Sequence, residues 1–453
     1  MFVVTLPKTA ATDPAAFARK AKEAGADLVE IRADLTPDIQ PFISLLPMIV
    51  SPRGTGIRLM TSLRPAYVDL QLGEEMSVSP GMKIIRSFHD FEKTPELLNL
   101  LPLMEKMRDT KADIIKIATK INSYRDLHTL DLLRDGFPAE QGRCILGMGL
   151  KAHLSRLLSP LKNTLTYTYL EEGEQSASGQ VPLSLHKLTS HCKTPKIFGL
   201  LGGDGAAHSL SPLIQNMLFS LNGIDAIYSL FLTDDLDDAF DALAAREVAG
   251  FSVTSPFKQS VLRKLERLDP DAQRLGSVNT IVCEDGHYVG YARDAQGMME
   301  GYPFLRGAAS VAILGSGGVV PSVVQAVQMS GVKDIRIFAR NAAARTIVAE
   351  KFAVRQFDLS ELRSFQPAIL ISTLSEDTSV QLPMSKEKAH AIDLRYGTKT
   401  KYLQDAFDAG YKIHDGLPML LHQAVAQFQL FTDMKPAQQS IDSVISSLPQ
   451  YGK

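Results

Sequence analysis

The sequence has little cysteine, almost no net charge and no long apolar run, and each shortage removes a class of function. Three cysteines, Cys144, Cys192 and Cys283, stand in 453 residues. None has C-x-x-C spacing, so neither a metal site nor a disulfide framework is expected, and a reducing compartment is. Lysine and arginine number 48 against 50 aspartates and glutamates, a net charge of −2. So balanced a chain is not built to hold nucleic acid, although single arginines can still bind small acids. No apolar stretch reaches membrane length, and residues 1–8 read as one strand followed by a polar turn, unlike a secretion signal. The expectation is a cytoplasmic protein that meets small molecules, with no nucleic acid, membrane or metal. Nothing in the sequence sets an oligomeric state.

What is present is an ordinary globular composition, 45% hydrophobic and 22% charged. The length implies two or three domains. In the first half, β-rich runs at 2–6, 27–32, 58–64, 67–72, 83–88, 113–118, 144–148 and 164–170 alternate for the most part with helical patterns. Eight such runs predict an α/β fold of the parallel β/α (TIM-type) barrel kind, with its chemistry at the strand C-terminal ends. The polar residues at those ends are Glu30, Arg32, Arg64, His89 and Lys116, and Arg156 follows the seventh run. Lys116 lies between two isoleucines in Ile114-Ile-Lys-Ile-Ala118. A lysine turned inward on such a strand must lose basicity or find a partner, and lowered basicity suits an imine-forming amine. His89 reads equally well as a core histidine, and Arg32 and Arg64 as partners of nearby acids. Converging on one barrel mouth, these groups suit an anionic ketone.

Val29-Glu-Ile-Arg-Ala-Asp34, Thr61-Ser-Leu-Arg64, Ser87-Phe-His-Asp90, Asp113-Ile-Ile-Lys-Ile-Ala118, Ser155-Arg156 and Ser176-Ala-Ser-Gly-Gln180 occur in that order. Residues 1–192 thereby resemble the type I 3-dehydroquinate dehydratases. The resemblance implies that Lys116 forms an imine with the substrate ketone and that His89 moves the protons. It implies that Arg156 binds the carboxylate, that Glu30, Arg32 and Arg64 hold the ring, and that Ser176 and Gln180 sit on a closing loop. No cofactor is implied for this half. One departure stands out: only Pro65-Ala66 separate Arg64 from the next run. A parallel crossover needs a dozen or more residues. One strand is therefore expected to be rearranged, or two runs to be one, and the acidic residue of the family's loop is missing.

In the second half, Val311-Ala-Ile-Leu-Gly-Ser-Gly-Gly-Val-Val320 runs from an apolar strand through glycines into a helical pattern. Such a turn lets backbone approach a pyrophosphate at a helix N-terminus, although Val320 occupies the third glycine position. The next strand ends in Ala339-Arg340, where an NAD site carries an acid. A guanidinium there suits a 2′-phosphate, so NADP is expected. His208-Ser-Leu-Ser-Pro212 precedes an amphipathic run in which Ser209 and Ser211 could simply cap a helix. Lys258 alone reads as a solvated lysine. The runs 276–280 and 290–294 flank a hairpin around Asp285-Gly286.

Together these segments resemble shikimate dehydrogenase from about residue 196 to the end. The resemblance implies a substrate domain at 196–297 with C-terminal helices at 416–453, and a Rossmann-type NADP domain at 305–415. Lys258 and Asp294 become the catalytic pair. Ser209, Ser211, Thr254, Asn279, Tyr396 and Gln423 become substrate ligands, and Gly315, Ser316, Gly317, Gly318, Ala339 and Arg340 meet NADP. Ala292-Arg293 stands where the family often has Asn-Thr, so Arg293 is expected to alter the site edge. The product of the first resemblance, 3-dehydroshikimate, is the substrate of the second. The reading is a bifunctional enzyme of aromatic biosynthesis. Its rivals are a quinate/shikimate dehydrogenase with an inactive barrel and a non-catalytic metabolite sensor.

Overall fold

The computed structural model describes residues 1–37, 39–40, 42–53, 63–138, 140–374, 376–386, 388–397 and 399–448. The chain divides into two compact units, one of residues 1–208 with 225–248 and one of residues 209–224 with 249–453.

The first unit is built on strands β1 Phe2–Thr5, β2 Leu28–Arg32, β3 Met48–Ser51, β4 Tyr67–Gln71, β5 Lys83–Asp90, β6 Ile114–Lys120, β7 Gly142–Met148 and β8 Thr166–Thr168. All pairings are parallel, in the order β7-β6-β5-β4-β3-β2-β1-β8. The ring is nearly closed where Thr164 N–H donates to the Arg143 carbonyl at 2.7 Å. Successive side chains on a strand face opposite ways, so each strand contributes to two cores. Val3, Leu28, Ile49, Ile85, Ile114, Cys144 and Leu165 fill the barrel interior. Val4, Val29, Val50 and Val68 instead meet Phe17, Ala18 and Ala21 of the helix Pro14–Glu23.

The third strand corrects the sequence reading. It is Met48–Ser51, which leaves residues 52–66 between it and β4, enough chain for a parallel crossover. Of the expected run at 58–64, residues 58–62 lie outside the described residues, and Leu63 and Arg64 are not in the sheet. The sequence signal failed because β3 is only four residues long and wedged between Pro47 and Pro52. A short apolar run of that kind carries no periodicity to recognise.

Strands β9 Lys196–Gly202 and β10 Ala226–Leu232, with the helix Leu236–Ala244, also belong to this unit. Their attachment is specific. The Tyr124 hydroxyl donates to the Leu232 carbonyl at 3.0 Å, and its ring meets Phe231 edge-on. His153 Nδ1 accepts the Leu230 N–H at 3.2 Å, and Arg125 pairs with Asp238 at 2.9 Å. Burial lowers the His153 pKa to about 4, which keeps the ring a neutral acceptor.

The second unit holds two ladders. Strands β11 Gly250–Val253, β12 Arg267–Leu268, β13 Thr280–Glu284 and β14 His287–Tyr291 pair as β11-β13-β14-β12. Positive φ at Asp285 and Gly286 makes the expected tight hairpin between β13 and β14. Strands β15 Ser310–Leu314, β16 Asp334–Phe338, β17 Arg355–Phe357, β18 Ile369–Ser372, β19 His390–Asp393 and β20 Lys412–His414 form a parallel sheet ordered β17-β16-β15-β18-β19-β20. This is the doubly wound dinucleotide-binding order, and ligands of such sheets bind where the order reverses, here between β15 and β18. No helix among the described residues is long and apolar enough to cross a membrane.

Candidate active sites

Each unit has its own cavity. The barrel encloses about 590 Å³, lined by Glu30, Arg32, His89, Lys116, Arg156, Ser176 and Gln180 among others. Strand periodicity brings them there. In β6, Lys116 lines the cavity, so its buried neighbours Ile115 and Ile117 point the opposite way, out of the barrel. Its neighbour in β5 is Ser87, and two residues on, His89 stands beside Ala118.

Lys116 has a buried partner. Its Nζ donates to Asp69 Oδ2 at 2.8 Å and lies 3.9 Å from the centre of the Tyr167 ring. Burial opposes charge on Asp69, but the Lys116 ammonium, Arg53 and hydrogen bonds from Lys116 and Ser87 prevail, holding the carboxyl down at about 2. Glu30 is 2% exposed, and its two oxygens accept from Thr5 and Ser51 at 2.7 and 2.9 Å. Burial, with Lys116 and Arg53 nearby, pushes the His89 pKa to about 3. His89 Nδ1 is 3.2 Å from Gln71 Oε1, and its ring stacks on Phe91. Arg32 forks onto Asp34 at 3.1 and 2.6 Å.

Arg156 differs from these. It is 3% exposed and bonds the Gly147 carbonyl at 2.7 Å, but makes no ion pair with a carboxylate among the described residues. Burial lowers its pKa to about 10. A desolvated guanidinium without a counter-ion, lining a cavity, is a strong anion-binding group. Ser176 and Gln180 brace one another, with Gln180 Oε1 accepting from Ser176 N at 2.8 Å. Their loop lies so close to the end of β7 that a β-carbon on Gly179, at φ +81°, would collide with the Gly149 carbonyl.

Arg64 is the exception. It is exposed and does not line the cavity, whereas Arg53, just past β3, does. The displaced third strand carried the wrong arginine into the reading. Asp69 and Gln71 were also missed. They occupy alternate positions of β4 in Tyr67-Val-Asp-Leu-Gln71, a polar residue between apolar neighbours, which is the same signal that marked Lys116.

The cavity of the second unit is about 790 Å³ and is lined by Thr254, Lys258, Asp294, Ser316, Gly317, Gly318, Tyr396 and Gln423 among others. Lys258 Nζ donates to Asp294 Oδ2 at 2.6 Å, and Asn279 Nδ2 donates to Asp294 Oδ1 at 2.7 Å. Asn279 is fixed in turn, since its Oδ1 accepts from Arg293 N at 2.8 Å and from Thr280 Oγ1 at 3.0 Å. Both oxygens of the 4%-exposed aspartate are therefore directed. Arg293 does not reach the cavity: it pairs with Asp269 at 2.6 Å, the residue that caps the helix Pro270–Leu275. Ser209 and Ser211 bond to one another at 3.1 Å and do not line the cavity.

The glycine turn follows β15. Gly315 has φ +117°, and a β-carbon there would strike Thr373 Oγ1, just past β18. Gly317 and Gly318 face open space, and the helix Val320–Met329 starts with no side-chain cap. The Val320 N–H is taken by the Gly317 carbonyl at 3.0 Å and Pro321 has none, so what the turn offers an anion is the helix dipole and the open glycine backbone before it. Ala339 is buried, and Arg340 is 75% exposed, with Glu376 3.9 Å away its one ion-pair partner among the described residues. These features fit a dinucleotide carrying an extra phosphate.

Three family models match the chain. Residues 51–191 match the family model of type I 3-dehydroquinase, 201–281 that of the shikimate dehydrogenase substrate binding domain, and 416–443 that of the shikimate 5′-dehydrogenase C-terminal domain. The NADP(+) shikimate dehydrogenase of Pyrococcus abyssi is 33% identical over 269 residues, covering 57% of this chain and 99% of that one. The chain belongs to the shikimate dehydrogenase family. It carries a type I 3-dehydroquinase domain ahead of that family's unit. The chloroplastic bifunctional 3-dehydroquinate dehydratase/shikimate dehydrogenase of Arabidopsis thaliana is 28% identical, over 92% of this chain and 79% of that one. The shikimate 5-dehydrogenase of Thermus thermophilus, solved with NADP(H) and shikimate, superposes with a TM-score of 0.50 at 29% identity, over 55% of this chain and 98% of that one.

Proposed function

We propose that the chain is a bifunctional enzyme of aromatic biosynthesis. It dehydrates 3-dehydroquinate to 3-dehydroshikimate in the barrel, then reduces 3-dehydroshikimate to shikimate with NADPH. We assign the first step to residues 1–192 and the second to residues 196–297, 305–415 and 416–453, working in the cytoplasm. The observation that carries the reading is Lys116, buried and inward-facing in a cavity that also holds the Arg156 guanidinium. An amine placed there can condense with a ketone while Arg156 neutralises the substrate carboxylate.

In the barrel, Lys116 Nζ attacks the ketone carbon, and water leaves as the imine forms. The protonated imine draws electrons from the adjacent C–H bond. His89, kept neutral by its surroundings, takes that proton and returns one to the departing hydroxyl, and water then hydrolyses the imine, releasing 3-dehydroshikimate and the Lys116 amine. Glu30, Arg32 and Arg53 hold the ring hydroxyls, and Ser176 and Gln180 close the rim.

In the second unit, bound NADPH supplies hydride to the carbonyl carbon. Gly315, Ser316, Gly317 and Gly318 would hold its pyrophosphate, and Arg340, beside Ala339, its 2′-phosphate. Lys258 stabilises the charge that grows on the carbonyl oxygen and donates the proton. Asp294 orients that ammonium, and Asn279 orients Asp294. Thr254, Tyr396 and Gln423 line the substrate end of the cavity, while Ser209 and Ser211 are assigned to the substrate from the family resemblance.

The test is coupled turnover. Purified protein given 3-dehydroquinate and NADPH should consume NADPH and yield shikimate. Lys116→Ala should stop consumption from 3-dehydroquinate but not from 3-dehydroshikimate, and Lys258→Ala should do so from both. Reduction of 3-dehydroshikimate without any dehydration of 3-dehydroquinate would instead favour the inactive-barrel rival.

A further inference from the structure

The working imidazole of the barrel has an unusual companion. A histidine that must accept a proton at one ring nitrogen is commonly fixed by a carboxylate at the other, which also raises its basicity. Here the companion is an amide, with Gln71 Oε1 3.2 Å from His89 Nδ1. No carboxylate is bonded to the ring among the described residues, and the segment 54–62 that follows Arg53 contains no aspartate or glutamate. Gln71 is the last residue of β4 and pairs with Ser87 of β5, so its side chain rises beside His89 by strand geometry. Both residues line the cavity. Phe91 stacks on the ring at 5.8 Å and 11°, limiting its rotation.

We infer that Gln71 is the positioning residue of the dehydratase site: its carbonyl oxygen takes the Nδ1 proton of His89 and presents Nε2, unprotonated, to the substrate. This rests on the reading of His89 as the proton carrier. An amide oxygen accepts only, so it selects one neutral tautomer of the ring. Unlike a carboxylate it adds no negative charge, so it does not draw the imidazole toward its cationic form. The other charges around His89 are Lys116, Arg53 and Arg32, which disfavour the cation, and Asp69, which favours it and is itself bonded to Lys116. The arrangement keeps a base free of protons at neutral pH inside a pocket meant for an anion. Gln71 also ties the ring to the Lys116 side of the cavity, since β4 carries Asp69 two positions earlier.

Three proteins test it: wild type, Gln71→Leu and Gln71→Glu, each assayed for dehydration across pH 3–9, a range that reaches down to the His89 value of about 3, and for borohydride trapping of 3-dehydroquinate. Gln71→Leu should lower kcat by about 10–100-fold, the scale seen when partners that orient metal-bound imidazoles are removed. Its imine should still be trapped at Lys116, because the defect follows condensation. Gln71→Glu should keep the rate at high pH but move the acid limb of kcat/KM upward by at least one pH unit. Its new carboxylate raises the imidazole pKa, so the base becomes protonated, and idle, at a higher pH. Circular dichroism and thermal melting of each variant against wild type report that the barrel is folded, and shikimate dehydrogenase activity reports the same of the second unit. If both variants keep the wild-type rate and pH profile, Gln71 does not position His89. If Gln71→Leu also abolishes trapping while the dehydrogenase survives, Gln71 serves only to shape the pocket, and the inference is equally overturned. A wild type that traps no imine and dehydrates nothing would sink the underlying reading of the barrel instead.

Discussion

Lys116 Nζ and Asp69 Oδ2 lie 2.8 Å apart in the barrel, with side-chain exposures of only 7% and 0%. The residues are 47 positions apart in sequence and sit on β6 and β4, which flank β5. The cost of placing a lysine among isoleucines is therefore met by a counter-charge reaching past one intervening strand. The pair does more than offset burial. It sets where the ammonium points, and Tyr167 covers its other side.

Asp69→Asn should expose that dependence. With the carboxylate gone, the buried ammonium is uncompensated, which costs about 3–5 kcal/mol. Urea unfolding followed by dehydratase activity should show the loss. The pH dependence has a definite sign. The Asp69 carboxyl is held at about 2, below its ordinary value of about 3.9. Its stabilisation is complete above about pH 4 and disappears as pH falls through about 2. Wild type should lose more stability than Asp69→Asn over that interval, by about 2 kcal/mol. Parallel acid curves for the two proteins would show that the pair contributes nothing.

Arg156 should govern substrate affinity in the barrel. Replacing it with methionine removes a charge-assisted contact worth about 1.5–3 kcal/mol. The Michaelis constant for 3-dehydroquinate should rise at least tenfold, with a smaller change in kcat. An unchanged Michaelis constant would place the substrate carboxylate elsewhere.

For Lys258 the expected loss is in turnover. Charge on the carbonyl oxygen appears in the transition state, so Lys258→Ala should cut kcat by about 10²–10⁴ and change the shikimate Michaelis constant less. Asp294→Asn should fall too, and the double variant should lose far less than the sum, because Asp294 acts through the ammonium it holds at 2.6 Å. Asn279→Ala, which frees the other carboxylate oxygen, should give a milder version of Asp294→Asn. A Lys258→Ala protein with normal kcat and a raised Michaelis constant would make Lys258 a binding residue only.

Cofactor choice should follow Arg340. Arg340→Ala should raise the Michaelis constant for NADPH and hardly touch that for NADH. Glu376, 3.9 Å from the guanidinium, is an exposed competitor for it. Exposed pairs are worth little, so Glu376→Gln should lower the NADPH constant only slightly. Equal use of both cofactors by the wild type would refute this assignment.

Much of the site could be read along the chain. Lys116, His89, Glu30, Arg32 and Arg156 share one cavity, and Lys258 and Asp294 touch, as residue type and motif order suggested. For Glu30, Arg32, His89 and Lys116 the convergence was legible because side-chain direction along a strand is local: alternate residues face alternate sides whatever the strand pairs with. The meeting of Lys258 with Asp294 was implied by the family resemblance alone. The doubly wound sheet was legible for a related reason, since strand, glycine turn and helix follow one another without a break around Gly315. What failed was whatever depended on which strands stand side by side. Arg53 replaced Arg64 because Met48–Ser51, too short to show a period, holds the place between β2 and β4. Asp69 meets Lys116, Gln71 meets His89, and Arg293 turns to Asp269 instead of the cavity. Each is a meeting of residues far apart in sequence. Such partners are set by the closure of a barrel or the docking of a helix, where the packing of the whole unit fixes the neighbours and no local pattern records them.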